Sequence, residues 1–217
     1  GLICSLQDEY AKPVSGEDFL AYCYGVLAHP AFSARFAGDQ KRDGVRVPIT
    51  RDFALFKKAA EIGRRLIWLH TYGERFVPKG KTPGDLPAGA AKCVEPVPDA
   101  PEKYPNEFNY DPYLCVLHVG GGQFAPVAPA IWEFEVSGLK VVRSWLGYRM
   151  RERKGKKSSP LDDIYPERWT SEFTTELLNL LWILEATLKQ YPEQEALFAQ
   201  IIEGPLFTAD DLPKPPD

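Results

Sequence analysis

Chemistry needs particular residue types at particular spacings, and this 217-residue sequence offers several near-matches. Gly80-Lys81-Thr82 has the end of a phosphate-binding loop, but Arg75 stands where the motif needs its first glycine, and Pro83 follows where a helix should continue. Gly120-Gly121-Gly122 joins two apolar runs and opens no helix, so it predicts a hairpin turn rather than a dinucleotide loop. Tyr110-Asp111-Pro112-Tyr113 is one proline short of the Asp-Pro-Pro-Tyr loop that grips an amino group being methylated. No Gly-rich cofactor loop precedes it, and a turn into a strand accounts for it. Pro98-Asp99 with Glu152-Arg153-Lys154 has parts of a metal-dependent nuclease pattern at too long a spacing. His29, His70 and His118 do not cluster. His70 lies on the inner stripe of a helical segment and reads as a core residue. His118 and Cys115 are an odd number apart on an extended segment, so they point to opposite faces. No residue pattern points to a Ser-His-Asp or Cys-His site. Cys4, Cys23, Cys93 and Cys115 form no C-x-x-C pair, so reduced thiols are expected, with neither a disulfide framework nor a zinc site.

Positive charge is the feature left over. Residues 140–157 carry Lys140, Arg143, Arg149, Arg151, Arg153, Lys154, Lys156 and Lys157 against one acid, Glu152, a net charge of +7. The whole chain has 26 basic and 30 acidic residues and a net charge of −4. Ser158, Ser159 and Tyr148 add hydroxyls beside the run. Such groups hold phosphates with steep salt dependence, and a bidentate arginine reads guanine in the major groove. The plain account is a solvated loop, but this run grows out of a helix carrying Trp145 and Tyr148.

The elements that must position these groups follow from periodicity. Ser15 and Asp18 have capping-box spacing ahead of an amphipathic helix that ends near His29-Pro30. A short second helix is expected over 31–38, then an extended connector, Arg46-Val47-Pro48-Ile49. Thr50 is expected to cap a helix over 51–70 with two adjoining apolar stripes and therefore a wide buried face. Residues 73–105 hold seven prolines and four glycines, and neither helix nor strand is expected there. A hairpin around Gly120 and a strand over 132–136 follow. Ser137 and Gly138 close that strand and start a helix over 139–149, in which Trp145 and Leu146 pack inward, as Trp169 does farther along the chain. Thr170 is expected to cap the longest helix, 171–190, with a separate short helix over 193–203. The fold class is α+β: a helical N-terminal part, a small antiparallel sheet and long C-terminal helices. The divisions are 15–72 helical, 73–105 connecting loop and 106–207 α/β.

Composition agrees with a folded chain. Hydrophobic residues make up 44%, with twelve Phe, ten Tyr and five Trp, which excludes global disorder. The most apolar stretch, 177–188, contains Asn179 and Glu185 and is shorter than the ~18 residues of a membrane span. No signal peptide is visible in the first ten residues. With no initiating Met, the chain reads as a piece of a longer polypeptide, with Gly1 as a cloning scar.

Several segments together resemble one family. The run from Val136-Ser137-Gly138-Leu139-Lys140 through Trp145-Leu146-Gly147-Tyr148-Arg149 resembles the C-terminal specificity domain of Type ISP restriction-modification enzymes. Gly155-Lys156-Lys157-Ser158-Ser159-Pro160-Leu161-Asp162-Asp163-Ile164, Arg168-Trp169-Thr170 and Gly204-Pro205-Leu206-Phe207-Thr208 resemble the same domain. So do Tyr24-Gly25-Val26-Leu27-Ala28-His29-Pro30 and the connector at Arg46. The likeness runs from about Asp18 to Leu212.

The resemblance implies a target-recognition domain that binds double-stranded DNA and does no chemistry itself. In such enzymes it presents the site to an adenine-N6 DNA methyltransferase on the same polypeptide, in a cytoplasmic phage-defence system. No cofactor is implied for this chain; S-adenosylmethionine, ATP and Mg belong to the rest of such an enzyme, and no membrane is involved. The residues expected to contact DNA, taken from the charge run and its hydroxyls, are Arg143, Arg149, Arg151, Arg153, Lys154, Lys156, Lys157, Ser158 and Ser159, with Lys140 and Tyr148 as second choices and Arg46 as either a contact or a surface arginine. Recognisable motifs can also be scaffold, which leaves Lys79, Lys81 and Lys92 of the loop as candidate readers. The alternative is an interaction or coupling domain that docks on the methyltransferase with little DNA contact; a third reading is an enzyme whose site the sequence does not show.

Overall fold

A computed structural model describes residues 1–43, 45–151 and 167–213. The chain divides into two compact units, Gly1–Asp85 with Lys189–Asp217, and Leu86–Leu188.

The first unit is helical. It contains α1 (Leu2–Tyr10), α2 (Gly16–Leu27), α3 (Pro30–Asp43), α4 (Phe53–His70) and the end of α7 (Ser171–Glu203). The capping box at α2 forms: the Ser15 hydroxyl accepts from Asp18 N at 3.0 Å, and the Asp18 carboxylate accepts from Ser15 N at 2.9 Å. Helix α4 is capped by Asp52 rather than Thr50. The Asp52 carboxylate accepts from Ala54 N and Leu55 N, while the Thr50 hydroxyl accepts from Asp52 N. Helix α3 is kinked at Phe36, and helical turns continue to Asp43, five residues past the expected end. Helix α1 was not expected; its Leu6 and Tyr10 join the core with Tyr22, Phe56, Leu66, Phe198 and Ile201. Tyr22 stacks on Phe56 at 4.7 Å. Helices α2 and α4 cross in backbone contact: a Cβ on Gly63 would lie 1.7 Å from the Ala21 carbonyl oxygen. The extended connector pairs with the chain end, Phe207 N donating to Ile49 O and Arg51 N to Pro205 O.

The second unit is built on a four-stranded antiparallel sheet in the order β1 (Lys92–Glu95), β4 (Gly122–Ala125), β3 (Val116–Val119), β2 (Phe108–Asp111). Leu117, Val119 and Phe124 are fully buried. The glycine hairpin forms between β3 and β4. Strand β1 corrects the expectation of a strandless 73–105 segment. It is a short edge strand with mostly exposed side chains, held by main-chain pairing to β4, so it leaves no apolar alternation in the sequence.

Residues 129–140 also differ from expectation. Pro129 opens a one-turn helix, α5 (Pro129–Trp132), so Trp132 is helical and buried rather than on a strand. Ser137 and Gly138, at φ +51° and +85°, form the two-residue turn of a hairpin, β5 (Glu135–Val136) and β6 (Leu139–Lys140). Helix α6 (Val141–Gly147) is consequently shorter than 139–149. Helix α7 is continuous, correcting the expected break between 190 and 193: Pro192 lies inside it. A mid-helix proline costs about 3 kcal/mol. Burial of Leu181 and Leu184 before it, and of Leu197, Phe198 and Ile201 after it, outweighs that cost.

Candidate nucleic-acid interface

The hairpin β5–β6 and helix α6 carry the described part of the basic run. Lys140 leaves β6 beside the acids of the preceding segment. Its ammonium lies 2.7 Å from Glu135 and 3.3 Å from Glu133. Hydrogen bonding to Glu135, then to Glu133, holds its pKa above the usual lysine value. Arg143, in the first turn of α6, donates to the Glu133 carboxylate. Its guanidinium lies 4.8 Å over Trp132. Trp132 in turn stacks on Tyr110 of β2 at 5.0 Å and 23°. Tyr110, Trp132 and Arg143 thus form a column, and the Arg143 side chain remains 41% exposed.

Arg149 and Arg151 are engaged differently. The Arg149 guanidinium lies 3.7 Å over Trp145 and 5.3 Å from the Phe173 ring, donates to Glu176 at 2.9 Å and to the Trp145 carbonyl at 3.2 Å. Its own carbonyl accepts from the Tyr104 hydroxyl at 2.8 Å. Arg151 donates to the Pro101 carbonyl and lies over Tyr104. Nε of Arg143, Arg149 and Arg151 is buried without a hydrogen-bond partner among the described residues. Trp169 and Leu146 are core, as expected, with Trp169 Nε1 donating to Thr174.

Of the other residues named from sequence, Tyr148 is 65% exposed after α6, and Arg46 is exposed in the connector before α4. Arg153, Lys154, Lys156, Lys157, Ser158 and Ser159 lie outside the described residues. Lys81 pairs with Asp85 at 3.1 Å, Lys79 is exposed, and Lys92 lies on β1. The structure therefore groups Lys140 and Arg143 around Glu133, and sets Arg149 and Arg151 against aromatic rings and carbonyls. Sequence reasoning missed Trp132, Glu133 and Tyr110 as the groups that hold Arg143. The available signal was Ser137-Gly138: read as a two-residue turn, it puts Glu135 opposite Lys140.

Elsewhere, the first unit carries an open groove of about 400 Å³ lined by Phe53, Phe56 and Ala60 with Lys12, Lys57, Glu61 and the Asp18–Arg64 pair. Burial pushes the Asp18 carboxyl up, but hydrogen bonds from Arg64 and Ser15 outweigh it and hold it below the usual range. The lining carries no Ser, Cys or His. Among the described residues there is no group of three or more His, Cys, Asp or Glu able to hold a metal, and no helix long and apolar enough to cross a membrane.

Residues 2–180 match the Type ISP C-terminal specificity domain. The chain belongs to this family. No curated protein matches it. Among solved structures, the specificity domain is similar to part of DrdV in a cryo-electron-microscopy DrdV–DNA complex. There the TM-score is 0.58 and the identity 17%, over 91% of this chain and 19% of that one. It is similar to part of LlaBIII, an ATP-dependent Type ISP restriction-modification enzyme bound to DNA. That likeness has a TM-score of 0.51 and 14% identity, over 93% of this chain and 11% of that one. A nuclease-deletion mutant of the Type ISP enzyme LlaGI, in complex with a DNA substrate mimic, matches at TM-score 0.50 and 19% identity, over 87% and 14%. At these identities the likeness is one of fold. The specificity domain spans a tenth to a fifth of the length of those chains.

Proposed function

We propose that this specificity domain recognises a particular double-stranded DNA sequence and holds it for an adenine-N6 DNA methyltransferase on the same polypeptide, within a cytoplasmic restriction-modification system. The family match over residues 2–180 carries this reading. The three solved structures of like fold contain DNA or a DNA substrate mimic, which supports it. So does the +7 charge of residues 140–157 in an otherwise acidic chain. The domain itself performs no bond-making step. It binds and orients the duplex, and the chemistry of flipping and methylating an adenine belongs to the methyltransferase with S-adenosylmethionine. ATP and Mg serve other parts of such an enzyme.

Arg46, Tyr148 and the basic residues of 140–157 other than Arg149, which is held against Trp145 and Glu176, are the proposed sources of DNA contact. A second reading, a docking module with little DNA contact, draws on one observation: Lys140, Arg149 and Arg151 spend their donors on internal partners. Selection of bound duplexes from a random-sequence pool, at low and at moderate salt, separates the two. A reader enriches a motif of several base pairs that contains an adenine. A docking module enriches nothing, and residual binding disappears as salt rises.

A further inference from the structure

We infer that Arg143 is a base-reading residue, directed at the major-groove edge of a guanine, and that Trp132 and Glu133 are the positioning residues that aim it. The inference rests on the DNA-recognition reading and assigns it a specific contact. Arg143 differs from its neighbours in the run. Its side chain is 41% exposed, against 26% for Arg149 and 34% for Lys140. Arg149 is held against Trp145 and Phe173, and Arg151 against Tyr104.

Trp132 and Glu133 bias the Arg143 fork toward one orientation before any ligand arrives. The guanidinium carbon lies 4.8 Å from the centre of the Trp132 ring, which itself stacks on Tyr110. The Glu133 carboxylate takes one hydrogen from a terminal nitrogen, and Nε is buried. The second hydrogen of that nitrogen and the two of the other terminal nitrogen remain in the guanidinium plane, and two of these three are the donors a guanine O6 and N7 accept. An arginine already ordered this way loses less side-chain entropy on binding than a free one.

Charge decides between base and phosphate. Glu133 and Glu135 lie beside Lys140 and Arg143, so this corner of the hairpin carries two acids and two bases. A phosphate brought to Arg143 would meet the Glu133 carboxylate at the same guanidinium. A guanine edge is neutral and meets no such repulsion. The arrangement therefore favours an in-plane, uncharged acceptor over a phosphate.

The test is duplex selection with the 217-residue chain and with Arg143→Ala, Arg143→Lys and Glu133→Gln, each checked for folding by circular dichroism. Wild type is expected to enrich a motif containing a G·C pair that Arg143→Ala stops selecting, while the other positions stay enriched. Discrimination at that pair should fall about ten- to a hundredfold. Arg143→Lys should fall between wild type and Arg143→Ala, because lysine keeps the charge and can reach guanine but lacks the fork. Glu133→Gln should keep the same preferred base with weaker discrimination. An unchanged motif in Arg143→Ala overturns the inference and leaves the recognition reading intact. So does a uniform loss of affinity with the salt slope shallower by about 0.9, the mark of a phosphate contact. An unchanged discrimination in Glu133→Gln overturns the positioning role. No motif from the wild type overturns the recognition reading itself, and the inference with it.

Discussion

Arg149→Ala separates a clamp of the fold from a contact with DNA. Four interactions end with the guanidinium. Its position 3.7 Å over Trp145, with Phe173 on another side, contributes roughly 1–2 kcal/mol. The pair with Glu176, which is 46% exposed, contributes at most about 1 kcal/mol. The bond to the Trp145 carbonyl adds about 1 kcal/mol, and loss of the buried, unpartnered Nε returns about the same. These contributions share one group and do not add fully, so the expected net loss is about 2 kcal/mol. For a chain of this length that lowers Tm by roughly 4–8 °C. Near-ultraviolet circular dichroism follows the transition, since Trp145 and Trp169 sit at the clamp. DNA affinity measured well below the transition should keep its salt slope. An unchanged Tm together with a slope shallower by about 0.9 would show that Arg149 contacts phosphate and that the clamp argument is wrong.

Two further outcomes are expected. Gly63→Ala should destabilise the first unit by about 3 kcal/mol in denaturant unfolding, although helix propensity alone favours Ala by about 1 kcal/mol, because the new Cβ would sit 1.7 Å from a backbone oxygen that cannot turn away; Gly16→Ala, where a Cβ meets nothing within 4 Å, serves as the control. Burial lowers the pKa of His70, whose Nδ1 lies 2.8 Å from the Tyr24 hydroxyl. The unfolded chain therefore binds the proton first, and the stability from keeping His70 neutral, intact above about 6.5, should fall as pH drops below that value. Denaturant unfolding from pH 7.5 to 5.5 should show the fall, and His70→Gln should flatten it; an equal fall in the variant would place the titration elsewhere, with His29 the next group to examine.

Local physics is encoded within short stretches of the chain. Ser15 and Asp18 specify a helix start within four residues, Gly120 to Gly122 specify a turn, and the double stripe of 53–70 specifies a helix buried on a wide face. Each signal is complete within a few residues. The clustered motifs, and the concentration of positive charge in 140–157, were also legible, because composition needs no coordinates. The tertiary structure alone decided the rest. Strand β1 exists because β4 supplies its hydrogen bonds, and α7 passes through Pro192 because buried residues on both sides of it outweigh one lost bond. Most of all, equal charges in one run received different roles. Arg149 meets Glu176, 27 residues on, and Arg151 meets the Pro101 carbonyl, 50 residues back. Arg143 rests on Trp132, itself stacked on Tyr110. A charge run states how much cation is present. Which guanidinium is spent inside the protein and which faces outward depends on partners that only the folded chain brings together.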